Sequence, residues 1–130
     1  MRRFSLVIAA LVACSAAWAD ETQPETPAYL VVIGEVHDRE AFMQGYAAKL
    51  GPLYARYGGS YLSIGGQVEV LEGDLQPESL VLARWPSMEA ARAFWFSPEY
   101  QELRRQRRDN DWGRFDVLLV PGIPATVTSE

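Results

Sequence analysis

The chain is expected to fold as one α+β domain: a four-stranded antiparallel sheet with its helices on one face, in the order βαββαβ. Three observations carry this expectation. Short β-branched and aromatic runs alternate with stretches whose apolar residues recur every three or four positions, the signatures of strand and helix respectively. Each helical stretch follows a side chain suited to capping it. And 130 residues, 48% hydrophobic and 22% charged, is the size and composition of a single ordinary globular domain.

Ala28 to Val36 is the first strand, rich in Val, Ile, Tyr and Leu. Asp38 is an N-cap for the helix that follows. From Arg39 to Tyr57, the residues Phe42, Tyr46, Leu50, Leu53 and Tyr57 make one helical stripe. Gly51-Pro52 is expected to kink that helix, and Gly58-Gly59 to end it in the left-handed conformation that helix C-termini favour. Tyr61 to Ile64 and Gln67 to Leu71 read as strand on both sides of Gly65-Gly66. The glycine pair is read as a bend in one long strand, the alternative being a tight hairpin. Glu72 to Glu78 is turn chemistry, and Ser79 to Trp85 is the next strand. Ser87 caps a short helix carrying Met88, Ala91, Phe94 and Trp95. Ser97-Pro98 restarts helix, with Tyr100 and Leu103 facing inward. Arg114 to Val120 is the last strand, completing a ferredoxin-like unit.

The strands are apolar on both faces. Tyr29, Val31 and Ile33 oppose Leu30, Val32 and Val36; Leu80 and Leu82 oppose Val81, Ala83 and Trp85; Phe115, Val117 and Leu119 oppose Leu118 and Val120. A sheet with one wet face should alternate apolar with polar. Two helices cover one face only. At about 25 cal/mol per Å², leaving ~500 Å² of the other bare would forgo about 12 kcal/mol, comparable with a domain's whole stability. The economical cover is the same face of a second copy, so a homodimer joined sheet to sheet is expected.

The chain ends read as accessory. Met1-Arg2-Arg3, the apolar run Phe4 to Ala17, and Ala17-Trp18-Ala19 before Asp20 have the form of a secretory signal cut after Ala19 (residues 1–19). The expected location is then periplasmic or secreted. Leu11-Val12-Ala13-Cys14 offers a rival: a lipobox, with the protein anchored to a membrane through a lipidated Cys14. Cleavage after Ala19 leaves 10 basic against 17 acidic groups, a net charge of -7, and no cysteine. Residues 20–27, acidic and proline-bearing, are a linker; 28–122 are the domain; 123–130 are a tail.

Composition also excludes. With 12 Lys+Arg against 17 Asp+Glu, the chain lacks the basic surface a nucleic-acid partner needs. One Cys and one His leave no disulfide framework and no Cys/His zinc site, so neither metal nor cofactor is expected.

Ala28-Tyr29, Tyr57-Gly58-Gly59-x-Tyr61-Leu62, Gly65-Gly66, Leu71-Glu72-Gly73-Asp74, Trp85-Pro86-Ser87-Met88-Glu89-Ala90-Ala91 and Ser97-Pro98-Glu99-Tyr100 form an ordered series. In it the chain, from about Ala28 to Gly122, resembles the domain-of-unknown-function 1330 family of the dimeric α/β-barrel superfamily. The resemblance implies a ferredoxin-like protomer paired face to face, and no particular reaction. The superfamily includes cofactor-independent monooxygenases, muconolactone isomerases, chlorite dismutases and dye-decolourising peroxidases. Similar sequences often carry Arg at the positions of Ser60, Ile64 and Ser79, an acid at Arg84 and a polar residue at Phe96, so a site built on those positions would be depleted here.

Candidate chemistry is sparse. His37, after the first strand, is a candidate general base or heme ligand, set against a surface histidine in a turn whose Asp38 is busy capping. Glu35 and Arg84 are charges inside apolar strands; antiparallel pairing puts them at opposite ends of the sheet and brings Arg84 near Tyr29, where the two could hold an anionic or phenolic group. Tyr29, Tyr61, Trp95 and Phe96 are candidate linings for a flat apolar ligand, against the plainer role of core and interface. Arg104, Arg105, Arg107 and Arg108, flanked by Glu102, Asp109 and Asp111, read as a solvated, partly salt-bridged helix face, the alternative being a patch for an anionic partner or lipid headgroups. The leading expectation is an exported homodimer that binds a small apolar or aromatic ligand and has no demonstrable catalytic constellation. The alternatives are a cofactor-independent monooxygenase or isomerase using His37, Tyr29 or Arg84, and an envelope lipoprotein adaptor.

Overall fold

The computed structural model describes residues 25–125; the expected signal segment, Cys14 and the last residues of the tail lie outside them. The elements are β1 (Ala28–Val36), α1 (Arg39–Phe42), a π-helical turn (Met43–Ala47), α2 (Ala48–Arg56), β2 (Ser60–Ile64), β3 (Ser79–Trp85), α3 (Met88–Trp95), α4 (Pro98–Asp109) and β4 (Gly113–Pro121). The strands form one antiparallel sheet in the order β2-β3-β1-β4. This is the ferredoxin-like α+β arrangement that the element order predicts. Among the described residues no helix is long and apolar enough to cross a membrane.

The caps work as their residue types require. Asp38 accepts from the Ala41 N–H at 3.0 Å and Ser87 from the Ala90 N–H at 3.0 Å. Ser97 is buried and acts twice: its hydroxyl accepts from the Tyr100 N–H at 3.2 Å and donates to the Phe94 carbonyl at 2.7 Å. It thereby welds α3 to α4, with Pro98 opening the second helix.

Register separates two faces. Leu30 pairs with Ala83 and Leu119, and Val32 with Val81 and Val117; this face meets the helices. Its centre is an aromatic cluster in which Trp85 stacks on Phe94 (4.7 Å), Tyr54 meets Phe94 edge-on (4.7 Å) and Tyr61 stacks on Tyr54 (4.5 Å). Such pairs add about 0.5–1.5 kcal/mol each beyond their buried area. Gly59 is required here, because a Cβ would come within 2.5 Å of the Trp85 ring. On the other face Val31 pairs with Leu82 and Leu118, and Tyr29 with Arg84 and Val120. No helix lies on it among the described residues, and Leu118 and Val120 remain 54% and 46% exposed.

Two local expectations are corrected, and one feature of the first helix is added. The helix continues through Pro52, which is exposed and forgoes only the bond to the Ala48 carbonyl. An irregular turn falls at Met43–Ala47, where Gly45 lies so close to the Trp112 ring that a Cβ would approach to 2.5 Å. Tyr54, outside the predicted stripe, is buried, whereas Tyr57 is half-buried. Finally, Gln67 to Leu71 is not strand. The β2–β3 ladder ends at Ile64 opposite Val81, Gly65 and Gly66 then take positive φ, and β3 begins only at Ser79. Residues 67–71 have no neighbouring strand to bond to, and strand propensity alone does not hold a lone segment.

Candidate functional site

A cleft of about 640 Å³ opens between the first helix and the covered face of the sheet. Leu30, Val32, Val81 and Val117 supply its floor from three strands; Phe42, Met43, Ala47 and Leu50 supply its wall from the helix. A hollow of similar volume over α4 is lined by Glu102, Arg105 and Asp109. These charges answer one another: Arg105 donates to both oxygens of Glu102 at 2.7 and 2.9 Å and to Asp109 at 2.8 Å. The bonds to Arg105 hold the Glu102 carboxyl down to about 2. That surface is a solvated ion-pair network, as its sequence suggests.

Four tyrosines ring the interior of the cleft: Tyr46, Tyr54, Tyr61 and Tyr100. The hydroxyls of Tyr46 and Tyr100 share a hydrogen bond of 3.0 Å. Burial raises the phenols of Tyr54 and Tyr100 well above their ordinary range and pushes Tyr61 up to about 12. They are therefore neutral O–H groups at any physiological pH, able to donate to a ligand oxygen but poor proton acceptors.

Arg107 also lines the cleft, and it departs from the solvated-face expectation. It is 4% exposed, with its guanidinium between the rings of Tyr46 (5.2 Å) and Phe115 (5.0 Å). Nη1 donates to the Gly113 carbonyl at 2.8 Å, while Nε is buried with no hydrogen-bond partner. A sign was present in the spacing. Tyr100, Leu103 and Arg107 fall at i, i+3 and i+7, so the inward stripe of α4 reaches the arginine. The run of four arginines concealed it.

The structure scatters the remaining candidates. Tyr61 lines the cleft. Tyr29 and Arg84 are cross-strand neighbours on the open face, behind the sheet from Tyr61. Trp95 packs on Tyr100 at 4.9 Å beneath the Arg104 guanidinium and lines a shallow groove between α4 and β4. Phe96, at the C-cap of α3, is 70% exposed. The four proposed pocket residues thus do not share one cavity within the chain.

His37 stands at the end of β1, outside the cleft lining. Its Nε2 faces Glu35 at 2.8 Å and its Nδ1 faces Asp111 at 2.9 Å. These two bonds, Glu35 first, raise its pKa above 6.5 by favouring the imidazolium. The carboxylates bracket opposite sides of the ring and do not converge on one point. No group of three His, Cys, Asp or Glu is placed to hold a metal ion among the described residues. Glu35 also lies opposite Arg114 in the β1–β4 register, whereas Arg84 lies at the other end of β1, beside Tyr29.

Solved structures of two other proteins share the fold. RPA0582, a protein of unknown function from Rhodopseudomonas palustris, is similar with a TM-score of 0.60 and 21% identity, covering 81% of this chain and 87% of that one. SnoaB, a cofactor-independent oxygenase from Streptomyces nogalater, is similar with a TM-score of 0.50 and 16% identity over 81% of this chain and 99% of its own. A variant of SnoaB gives 0.52 and 17%, covering 79% and 98%. At such identities the likeness is one of fold. No curated protein matches the chain. The family model described as "Domain of unknown function (DUF1330)" matches residues 27–123. With nearly all of the folded unit inside that match, the chain belongs to the domain-of-unknown-function 1330 family.

Proposed function

We propose that this protein is an exported homodimer that binds a small apolar or aromatic ligand in the cleft between its first helix and its sheet. The observation that carries the reading is the cleft itself. Its volume of about 640 Å³ falls in the range of small-molecule sites, and its lining of aliphatic groups with a few convergent polar ones is what such sites need. Tyr46, Tyr54, Tyr61 and Tyr100 offer flat surfaces and hydroxyls around the same cleft.

The dimer is supported by the bare face of the sheet. Val31, Ile33, Leu80, Leu82, Leu118 and Val120 share it, and an apolar face of that kind asks for a self-complementary cover. Leu71 and Leu75, 88% and 59% exposed, add further uncovered apolar side chains in the loop after β2. Export is supported by the basic start, the apolar run and the Ala17-Trp18-Ala19 site. Intact-mass measurement separates a chain starting at Asp20 from one lipidated at Cys14.

Binding is tested by titrating the purified protein with 2-naphthamide in a calorimeter. One site per chain is expected, abolished by Ala47→Trp, which fills the cleft from a half-buried lining position. Equal binding by that variant would refute the cleft as the site.

A second reading, a cofactor-independent oxygenase, is favoured by the fold similarity to SnoaB. Within this cleft its proton acceptor would have to be Glu78, an exposed lining residue, or a tyrosinate that burial opposes. Oxygen uptake with a naphthol as substrate tests it. Uptake abolished by Ala47→Trp would favour the enzyme over the binding protein.

A further inference from the structure

Arg107 is the only charged residue that is fully buried among the described residues. A guanidinium carries five N–H donors in a planar fork that matches a carboxylate or another paired-oxygen anion. Here Nη1 is used on the Gly113 carbonyl, and Nε has no partner. The arginine–carboxylate pairs among the described residues belong to Arg56 and Arg105. Contact with the rings of Tyr46 and Phe115 offsets part of the cost of burying the cation, but it satisfies no N–H. A buried cation held in place by two aromatic faces, with donors to spare and an apolar cleft beside it, has the chemistry of an anion receptor. The Tyr46–Tyr100 hydroxyl pair lines the same cleft; one O–H closes the bond between them and the other is left to donate to the same oxygen group. The other charged residues of the lining, Arg39 and Glu78, are exposed, where water screens them.

We infer that the cleft selects a flat apolar molecule bearing one anionic oxygen group, an aromatic carboxylate or a comparable enolate, and that Arg107 receives that group. This rests on the cleft being a ligand site. A purely structural Arg107, tying the end of α4 to the start of β4, would leave the cleft indifferent to the charge of its ligand.

The test is a matched pair of probes, 2-naphthoate and the isosteric neutral 2-naphthamide, titrated calorimetrically into the full chain at pH 7. The expected result is that the wild type binds the naphthoate at least tenfold more tightly, a gap of about 1.4 kcal/mol. Arg107→Met should close the gap, the naphthoate losing at least tenfold more affinity than the naphthamide. Arg107→Lys, which keeps the charge but not the fork, should retain part of the gap and serves if the methionine variant fails to fold. Wild-type protein that binds both probes equally overturns the anion inference and leaves the cleft standing. A gap that survives in Arg107→Met assigns the anion to another group and also overturns it. Binding of neither probe at millimolar concentration overturns the cleft reading together with the inference.

Discussion

The two faces of one sheet behave as two different materials. On the covered face every strand contributes to a closed aromatic and aliphatic cluster: Ala83, Trp85 and Phe94 are at most 1% exposed. On the open face Val31, Leu82, Leu118 and Val120 are as apolar, with Arg84 and Asp116 beside them, yet Leu118 is 54% and Val120 46% exposed. Adjacent positions of the same strands, separated by one step of the pleat, therefore have opposite surroundings. The difference teaches where the chain is complete in itself and where it is not. The covered face contains its own partners. The open face has hydrophobicity without a counterpart among the described residues, and that is the ground on which the dimer is proposed.

The contrast breaks most visibly at its most buried point. Trp85→Ala removes the largest fully buried side chain, which stacks on Phe94 and contacts Tyr54. It should destabilise the fold by about 3–5 kcal/mol, read as a lowered urea midpoint. Leu118→Ala on the other face should cost an isolated protomer under ~1 kcal/mol. Similar losses for both would erase the distinction between the faces.

The next effect is on association. Leu118→Glu places a charge on the bare face, opposite Val31, and should shift a sedimenting dimer to monomer at micromolar concentration. The folded circular dichroism spectrum should persist, because that position is half solvated already. A wild-type protein that sediments as a monomer at the same concentration would remove the reason for pairing.

The smallest effect lies at the rim, where His37 is bonded by Glu35 and Asp111. Its folded pKa is raised above 6.5, so its contribution to stability is complete below the unfolded value and is lost as pH rises through the folded one. Urea midpoints measured from pH 5.5 to 9 should fall slightly over that interval in the wild type and stay flatter in His37→Gln. The opposite sign holds for Glu102, whose carboxyl is held at about 2. Its contribution is present above the ordinary carboxylate range and fades only as pH falls toward that value. A histidine variant with the same pH slope as the wild type would show that the bracketing carboxylates leave the folded state unaffected.

Legibility in the sequence followed the range of the interaction. Caps were legible because Asp38, Ser87 and Ser97 act on N–H groups three residues away. The two oily faces were legible because pleat alternation is a local geometry. The antiparallel order of the elements by itself puts Arg84 beside Tyr29 and far from Glu35, and the register agrees. Gln67 to Leu71 was misread because β propensity says nothing about whether a neighbouring strand extends that far. The pocket residues were chosen by aromatic type, and type does not report a face: Tyr61 is on the cleft side, Tyr29 behind it, and Phe96 in water.

By itself, the sequence determined the order of elements, their caps, the greasy back of the sheet and the family to which the chain belongs, because each depends on patterns a few residues long or on an ordered series of such patterns. Only the tertiary structure decided that Arg107 leaves the solvated arginine run for the interior, that Tyr46 and Tyr100, 54 positions apart, join hydroxyls, and that the first helix stands off the sheet far enough to leave a cleft. These depend on how distant segments meet. A guanidinium is buried or solvated according to what packs over it, and no neighbour in the chain records that.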